Sequence, residues 1–373
     1  MNSKGKNTFI AYAFAAAMIW PIVCTAEPND VNIPEPIKVE AVIDPRVELM
    51  SVIFYLAGNE EYNQCRSKLF SRRVDKHFKK YKDHHAVKMA KNLRETRGVS
   101  YDTVMGIAVH ITDINSCSEL VPFEPRPDGL DSRWQISDAR EFLKTCRDFV
   151  RDTDFNEFLR QNKDMYDVAA DRLQQLVDSR AKLDWFDKFF SPKDEIKFNL
   201  VISILNGPSG YGPHVKIGDK LQIYCILGAM QIDLFGWGYP SFHQGFLTGI
   251  VHEFAHSYCN PIVNKHTSEL KNFGEKFYPK VEKQMKSQAY ASWQTMMCES
   301  LVRACEVRYA YANNGSEQAN WVAQYQVSRG FLWTPQLAEL LARYEKQRDK
   351  YPDFESFMPR VVEFFAAYSS EHD

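Results

Sequence analysis

Two histidines four residues apart, His252 and His256, enclose a glutamate in Gly249-Ile250-Val251-His252-Glu253-Phe254-Ala255-His256-Ser257-Tyr258. On a helix, residues four apart lie one turn apart on the same face. Both imidazoles can therefore aim at one point, and Glu253 is offset from them by about 100°. That arrangement suits a zinc ion with an attached base. A hydrolytic zinc takes three protein ligands and keeps a position for water, and a glutamate beside the first histidine can take a proton from that water. H-E-x-x-H is thus read by mechanism as well as by letters. The ordinary alternative is a pair of buried, hydrogen-bonded histidines. Phe246, Leu247, Ile250, Val251, Phe254, Ala255 and Tyr258 make the helix apolar around most of its circumference, so it belongs in a core. Two histidines and a glutamate are costly there without a partner, and a metal satisfies all three.

A third ligand has to come from a later helix. The best placed residue is Glu299, in Met297-Cys298-Glu299-Ser300-Leu301-Val302-Arg303-Ala304-Cys305-Glu306, where small and aliphatic neighbours give a carboxylate the setting of a buried ligand. Glu306 lies seven residues on and shares roughly the same face, so it is either the alternative ligand or a partner of a ligand. His266 follows Pro261 in an expected loop, and His77, His84 and His85 stand among charges. All four read as surface histidines.

The elements that must position these residues form an α+β chain that is mostly helical. Asp44-Pro45 caps a first helix, which stops at Gly58-Asn59. Helices follow over 69–81, 84–97, 101–113, from Ser137, from Asp154 and over 166–179, with a proline-rich loop around Pro122 to Gly129. The pattern changes near Lys197. Phe198–Leu205 and Leu221–Leu227 are apolar runs rich in Ile and Val, joined through Gly207-Pro208-Ser209-Gly210-Tyr211-Gly212-Pro213, and they predict a small antiparallel sheet. The glycine-rich loop has no helix-opening lysine and does not read as a phosphate site. After the histidine helix come helices near 293–312 and 317–328, and two more after Thr334 and Pro352.

The chain has 373 residues and a formal charge of −2, with charges mixed along it, so nothing points to nucleic acid. Residues 1–26 read as a signal peptide: Lys4 and Lys6 precede an apolar stretch from Phe9 to Cys24, and Cys24-Thr25-Ala26 offers small residues before a cut. A flexible leader over 27–42, a helical N-terminal region over 43–195 and a catalytic region over 196–373 then divide the mature chain. It is expected to be exported, to the periplasm or the outside, with no membrane span. Seven cysteines remain, an odd number, and Cys298 and Cys305 on one helix stand too far apart to bridge.

A histidine helix followed some forty residues later by a helix bearing a glutamate resembles the gluzincin metallopeptidases, the thermolysin-like group. More closely, the chain resembles an exported bacterial family of unassigned function grouped with those peptidases. The stretches that carry this are Asp44-Pro45-Arg46-Val47-Glu48-Leu49, Leu130-Asp131-Ser132-Arg133-Trp134, Asn206 to Pro213, His252 to Pro261 and Glu299 to Ala304. The resemblance implies a zincin-like core binding Zn2+ through His252, His256 and Glu299. It also implies an oxyanion-assisting role for Tyr290, nine residues before Glu299. Cys298 and Arg303 stand where thermolysin-like enzymes carry residues that steady the histidines, so that support must be built differently here, with Glu306 or Asn260. The expected activity is zinc-dependent hydrolysis of a peptide or protein substrate, Glu253 being the general base. The strand at 221–227 is expected to pair with an extended peptide. A zinc hydrolase of a cell-wall or glycan substrate, and a metal-keeping binding protein without turnover, are the alternatives.

Overall fold

Strand β1 (Ala41–Val42) leads into Asp44, whose carboxylate accepts from the Arg46 amide at 2.9 Å and opens helix α1 (Pro45–Leu56) with Pro45 in its first turn. The computed structural model describes residues 39–191, 196–288 and 290–372. The expected signal peptide, and the expected leader up to residue 38, lie outside them. The leader's last residues are not loose: Ala41 is buried and pairs with Leu200.

Seven helices follow: α2 (Lys68–Phe78), α3 (His85–Arg97), α4 (Asp102–Val109), α5 (Ile136–Thr153), α6 (Phe155–Gln161), α7 (Lys163–Arg180) and α8 (Asp184–Phe190). Their burial follows the helical period. In α2, Phe70, Val74 and Phe78 are buried; Phe70 meets the ring of Phe158, and Phe78 meets those of Phe149 and Phe158. His84 caps α3, its Nδ1 accepting from the Ala86 amide at 3.1 Å, and His77 Nε2 lies 2.7 Å from the Thr153 carbonyl. Those two are structural residues, where surface positions were expected. Short α8 escapes sequence reading because Trp185, Phe186, Phe189 and Phe190 fill most of it and leave little amphipathic contrast.

Strands β2 (Ile196–Ser203), β3 (Gly210–Tyr211), β4 (His214–Ile217) and β5 (Lys220–Gly228) join β1 in one five-stranded sheet. β2 pairs with β5 in parallel along its length, from Ile196 opposite Leu221 to Ser203 opposite Gly228. β3 and β4 pair antiparallel with β5 on its other side. The sheet is therefore mixed, which corrects the antiparallel sheet expected from sequence. The tight turn in this region joins β4 to β5 at Gly218-Asp219, so the hairpin forms there, and β2 is left to pair in parallel through a longer connection. It also makes β5 an interior strand, not the edge expected to receive a peptide. That edge is β3.

A small hairpin of β6 (Gln231–Ile232) and β7 (Pro240–Ser241), with the one-turn helix α9 (Asp233–Gly236) at its tip, precedes the long helix α10 (Gly245–Lys265). Then come α11 (Thr267–Ser287), α12 (Trp293–Ser328), α13 (Thr334–Lys346) and α14 (Phe354–Glu371). α10 continues through Pro261, because Val263 beyond it is buried and its packing carries the last turn. His266 thus sits at a helix junction and not in a loop. α12 breaks at Gly315, with φ 88°, between the two helices the sequence predicts.

Alternation along β2 shows how the layers stack. Phe198 meets Phe254 of α10 with ring centroids 4.4 Å apart, while Ser203, of opposite parity, meets Ser51 and Glu48 of α1 at 3.2 and 3.1 Å. The sheet is thus sandwiched between α1 and α10. α12 packs along α10, and one hydrophobic core runs from Val39 to Tyr368. Among the described residues, no helix is long and apolar enough to cross a membrane.

Candidate metal centre

α10 presents its sheet-facing side through Phe246, Ile250, Phe254 and Tyr258, all buried, and turns His252 and His256 toward α12. Their Nε2 atoms stand 3.1 Å apart. From α12, which Ser292 caps by accepting from the Thr295 amide at 3.1 Å, Glu299 brings its carboxylate to the same point. Oε1 lies 3.3 Å from His256 Nε2, and Oε2 lies 3.7 Å from His252 Nε2. The three side chains form a group whose donor atoms all lie within 4.8 Å of one another.

The hydrogen bonds on the far side of each ring decide what these atoms can do. His252 Nδ1 faces Glu306 Oε1 at 2.6 Å, and His256 Nδ1 faces Asn260 Oδ1 at 3.1 Å. An oxygen acceptor at each Nδ1 puts the proton there and leaves each Nε2 a lone pair. Two lone pairs and a carboxylate then converge with no donor between them, and only a cation or a proton resolves that. Ligands about 2.1 Å from a tetrahedral zinc stand about 3.4 Å from each other, so the donor set and its spacing fit that ion. A proton competes for the same place. Burial works against charge on His256, yet the adjacent Glu299 carboxylate outweighs it and raises the imidazole to about 9. Glu299 is fully buried, which favours its neutral form, but His256, His252 and Arg303 hold it well below the usual carboxylate range.

Behind the donors runs a closed circuit of buried polar groups. Arg303, 1 % exposed, donates from Nη2 to Glu299 Oε2 at 2.8 Å and to the Tyr290 hydroxyl at 2.9 Å, and from Nη1 to Gln326 Oε1 at 2.8 Å. Gln326 Nε2 in turn donates to Glu306 Oε2 at 2.6 Å. The guanidinium stacks over Phe331, 4.5 Å from its centroid. Glu306 and Gln326 are twenty residues apart, about 30 Å on a straight helix, so the reversal at Gly315 is what lets them touch. One guanidinium thus holds the Glu299 carboxylate directly and the Glu306 carboxylate through Gln326, and both carboxylates face the histidines.

Glu253 stands outside the donor group. Its carboxylate lies against the backbone of β3 and the residues after it: a Cβ on Gly212 would come within 2.6 Å of Oε2, and one on Gly210 within 3.3 Å of Oε1. It is near enough to His256 to help raise that imidazole, and it adds to the effect of burial in raising the Cys225 thiol. Gly210 and Gly212 therefore make room for this carboxylate.

Of the residues expected from sequence, His252, His256 and Glu299 come together, and Glu306 goes to the opposite nitrogen of His252. Glu306 and Asn260, the two candidates for steadying the histidines, each face one Nδ1. Tyr290 lies beside Glu299 with its hydroxyl on Arg303, a position that holds the carboxylate. Sequence reading gave Arg303 no role, although its spacing of four from Glu299 is an ion-pair signal on a helix. Gln326 carried no signal, because its partnership depends on the reversal.

The chain belongs to a family described as a domain of unknown function (DUF4932), whose model matches residues 39–364. No curated protein and no solved structure matches it.

Proposed function

We propose that this chain is an exported zinc-dependent hydrolase with a zincin-like core, acting as a gluzincin-type peptidase. The observation that carries the reading is the convergence of two Nε2 atoms, whose Nδ1 partners are oxygens, with a buried carboxylate, beside Glu253, which is not itself a donor. Zinc bound there would lower the pKa of its water toward about 7 and polarise a scissile carbonyl. The chain's own groups supply the rest. Glu306 and Asn260 hold the two imidazoles in one tautomer, and Arg303 with Tyr290 holds Glu299. Glu253, pressed against Gly210 and Gly212, takes the water's proton and passes it to the leaving amine. The exposed side of β3 offers an edge beside that carboxylate where an extended peptide can pair.

A second reading, a glycan or cell-wall substrate, is favoured by a cavity of about 960 Å³ that Glu306 and Gln326 share with Asn313, Gln318, Trp321 and Tyr325. The Trp321 and Tyr325 rings are exposed and parallel within 1°, a flat face suited to a sugar ring.

A peptide-library digest separates the readings. It compares the zinc-loaded protein, a chelated sample and Glu253→Gln, which keeps the shape of the side chain but removes the base. Cleavage by the first alone supports the peptidase. If all three leave every peptide intact while zinc is present, peptidase activity is the wrong assignment, and release of products from glycan substrates becomes the assay.

A further inference from the structure

The hairpin of β6 and β7 ends in two residues that nothing in the fold explains. Phe235 is 97 % exposed and Leu234 is 73 % exposed. Both adopt left-handed backbone, with φ of 55° and 49°, where asparagine or glycine is the ordinary occupant of a tight turn. A solvated turn free of other demands gains nothing from large apolar side chains there, so the outlier asks for a function. Trp237 at the base of the tip is 40 % exposed.

The tip stands over the start of α2. Gly236 approaches the Arg66 carbonyl and the Lys68 side chain, and the Trp237 ring lies 5.9 Å from Lys68 Nζ and 4.2 Å from Arg72 Cζ. Eight of the seventeen residues 66–82 are Lys or Arg, and only Asp75 is acidic. Lys68, Arg72 and Lys76 recur every four residues, about 200° around the helix from the buried Phe70, Val74 and Phe78, so they form its outer face. Arg66, Lys68, Arg72 and Lys76 make no ion pair among the described residues, whereas Asp233 is taken by Arg172 at 2.7 Å and Asp164 by Arg73 at 3.1 Å. The nearby acids are thus spoken for, and the cations are not.

We propose that the Leu234-Phe235 tip inserts into an anionic membrane surface, with Trp237 at the level of the headgroups and Lys68 and Arg72 on the lipid phosphates. A protein groove would also accept the two apolar side chains. The unneutralised cations beside a half-exposed tryptophan favour a bilayer, since apolar insertion, an interfacial aromatic and basic contacts reinforce one another there.

The test uses the protein as isolated from its exporting host, mixed with vesicles of phosphatidylcholine alone or with added phosphatidylglycerol. Wild type should sediment with the anionic vesicles and be released by high salt. The double variant Leu234→Ser with Phe235→Ser should lose about tenfold or more in its bound-to-free ratio. Lys68→Gln with Arg72→Gln should lose several-fold on anionic vesicles only. Because the tip makes no core contact, thermal melting should be unchanged in each. Phe235→Trp keeps a large apolar side chain and reports depth directly: its emission should shift to the blue on anionic vesicles and be quenched by brominated lipid. An emission at this position that brominated lipid leaves untouched overturns the proposal, whatever else holds the protein on the vesicle. Loss of a co-purifying protein in the double variant, with vesicle binding unchanged, overturns it in favour of a protein partner.

Discussion

Glu306 Oε1 lies 2.6 Å from His252 Nδ1, while Glu299 on the same helix faces the other nitrogen of that ring at 3.7 Å. Two glutamates seven residues apart thus divide one imidazole between them. The nitrogen that gives its proton to Glu306 cannot bind a metal, and the one it leaves free can.

Zinc affinity should rank the two glutamates. Glu299→Ala removes a donor atom and should weaken binding by orders of magnitude, while Glu306→Ala should weaken it by about 10 to 100-fold. Competition with a chromogenic chelator measures both. A larger loss for Glu306→Ala would reverse their roles.

Gly212→Ala should reduce turnover and leave zinc in place. The added Cβ would meet Glu253 Oε2 at 2.6 Å, and the atom that yields is the free end of a side chain, so the carboxylate moves and the backbone stays. Displacing a general base by about an ångström should lower kcat by about 100-fold with little change in melting temperature. Unchanged kcat would mean that the position of Glu253 does not matter to the reaction.

Tyr290 and Arg303 should report through the metal. If the hydroxyl served only a developing oxyanion, Tyr290→Phe would lower kcat and leave affinity alone. Its bond to Arg303, which grips Glu299, leads to the opposite expectation: zinc affinity should fall by about tenfold. Arg303→Met removes the guanidinium paired with the buried Glu299 carboxylate and should lower the metal-free protein's stability by about 3 to 5 kcal/mol in urea unfolding.

Glu48 should govern part of the pH dependence of stability. It is fully buried between Tyr166 and Ser203, and burial raises its carboxyl from 4.5 to about 7 against the pull of those two hydrogen bonds. Between those values the folded chain holds a proton that the unfolded chain has released, so this contribution to stability falls as pH rises through that window. Asp44 adds slightly in the same direction. The loss amounts to about 3 kcal/mol, and Glu48→Gln should remove it. Urea midpoints at about pH 5 and pH 8 compare the two slopes; parallel slopes would show that Glu48 does not titrate this way.

Local spacing made the histidines legible, because four residues on a helix fix a shared face whatever surrounds it. Glu299 was legible from its apolar helix, but the choice between it and Glu306 was not, since both lie on nearly one face and only the ring nitrogens separate them. The apolar runs of β2 and β5 announced strands, yet parallel pairing has no signature in either run. α11 carries Leu270, Phe273, Phe277, Val281 and Met285 at helical spacing, and Pro279 in its midst obscured it. Gln326 was beyond reach for a different reason: its contact with Glu306 exists only because the chain turns back at Gly315, and a glycine in sequence does not say which way the chain will go.

Every group that would grip an ion here projects from one of two packed helices, and none from a loop able to swing aside. An ion would then leave through its open position only after its bonds to both α10 and α12 had broken, which parting of the two helices would hasten. Its residence time would then depend on how often that pair loosens as well as on the strength of the separate bonds. Exchange of isotopically labelled zinc should be slow in buffer, quicken with mild urea in step with amide exchange in α12, and slow again in sucrose.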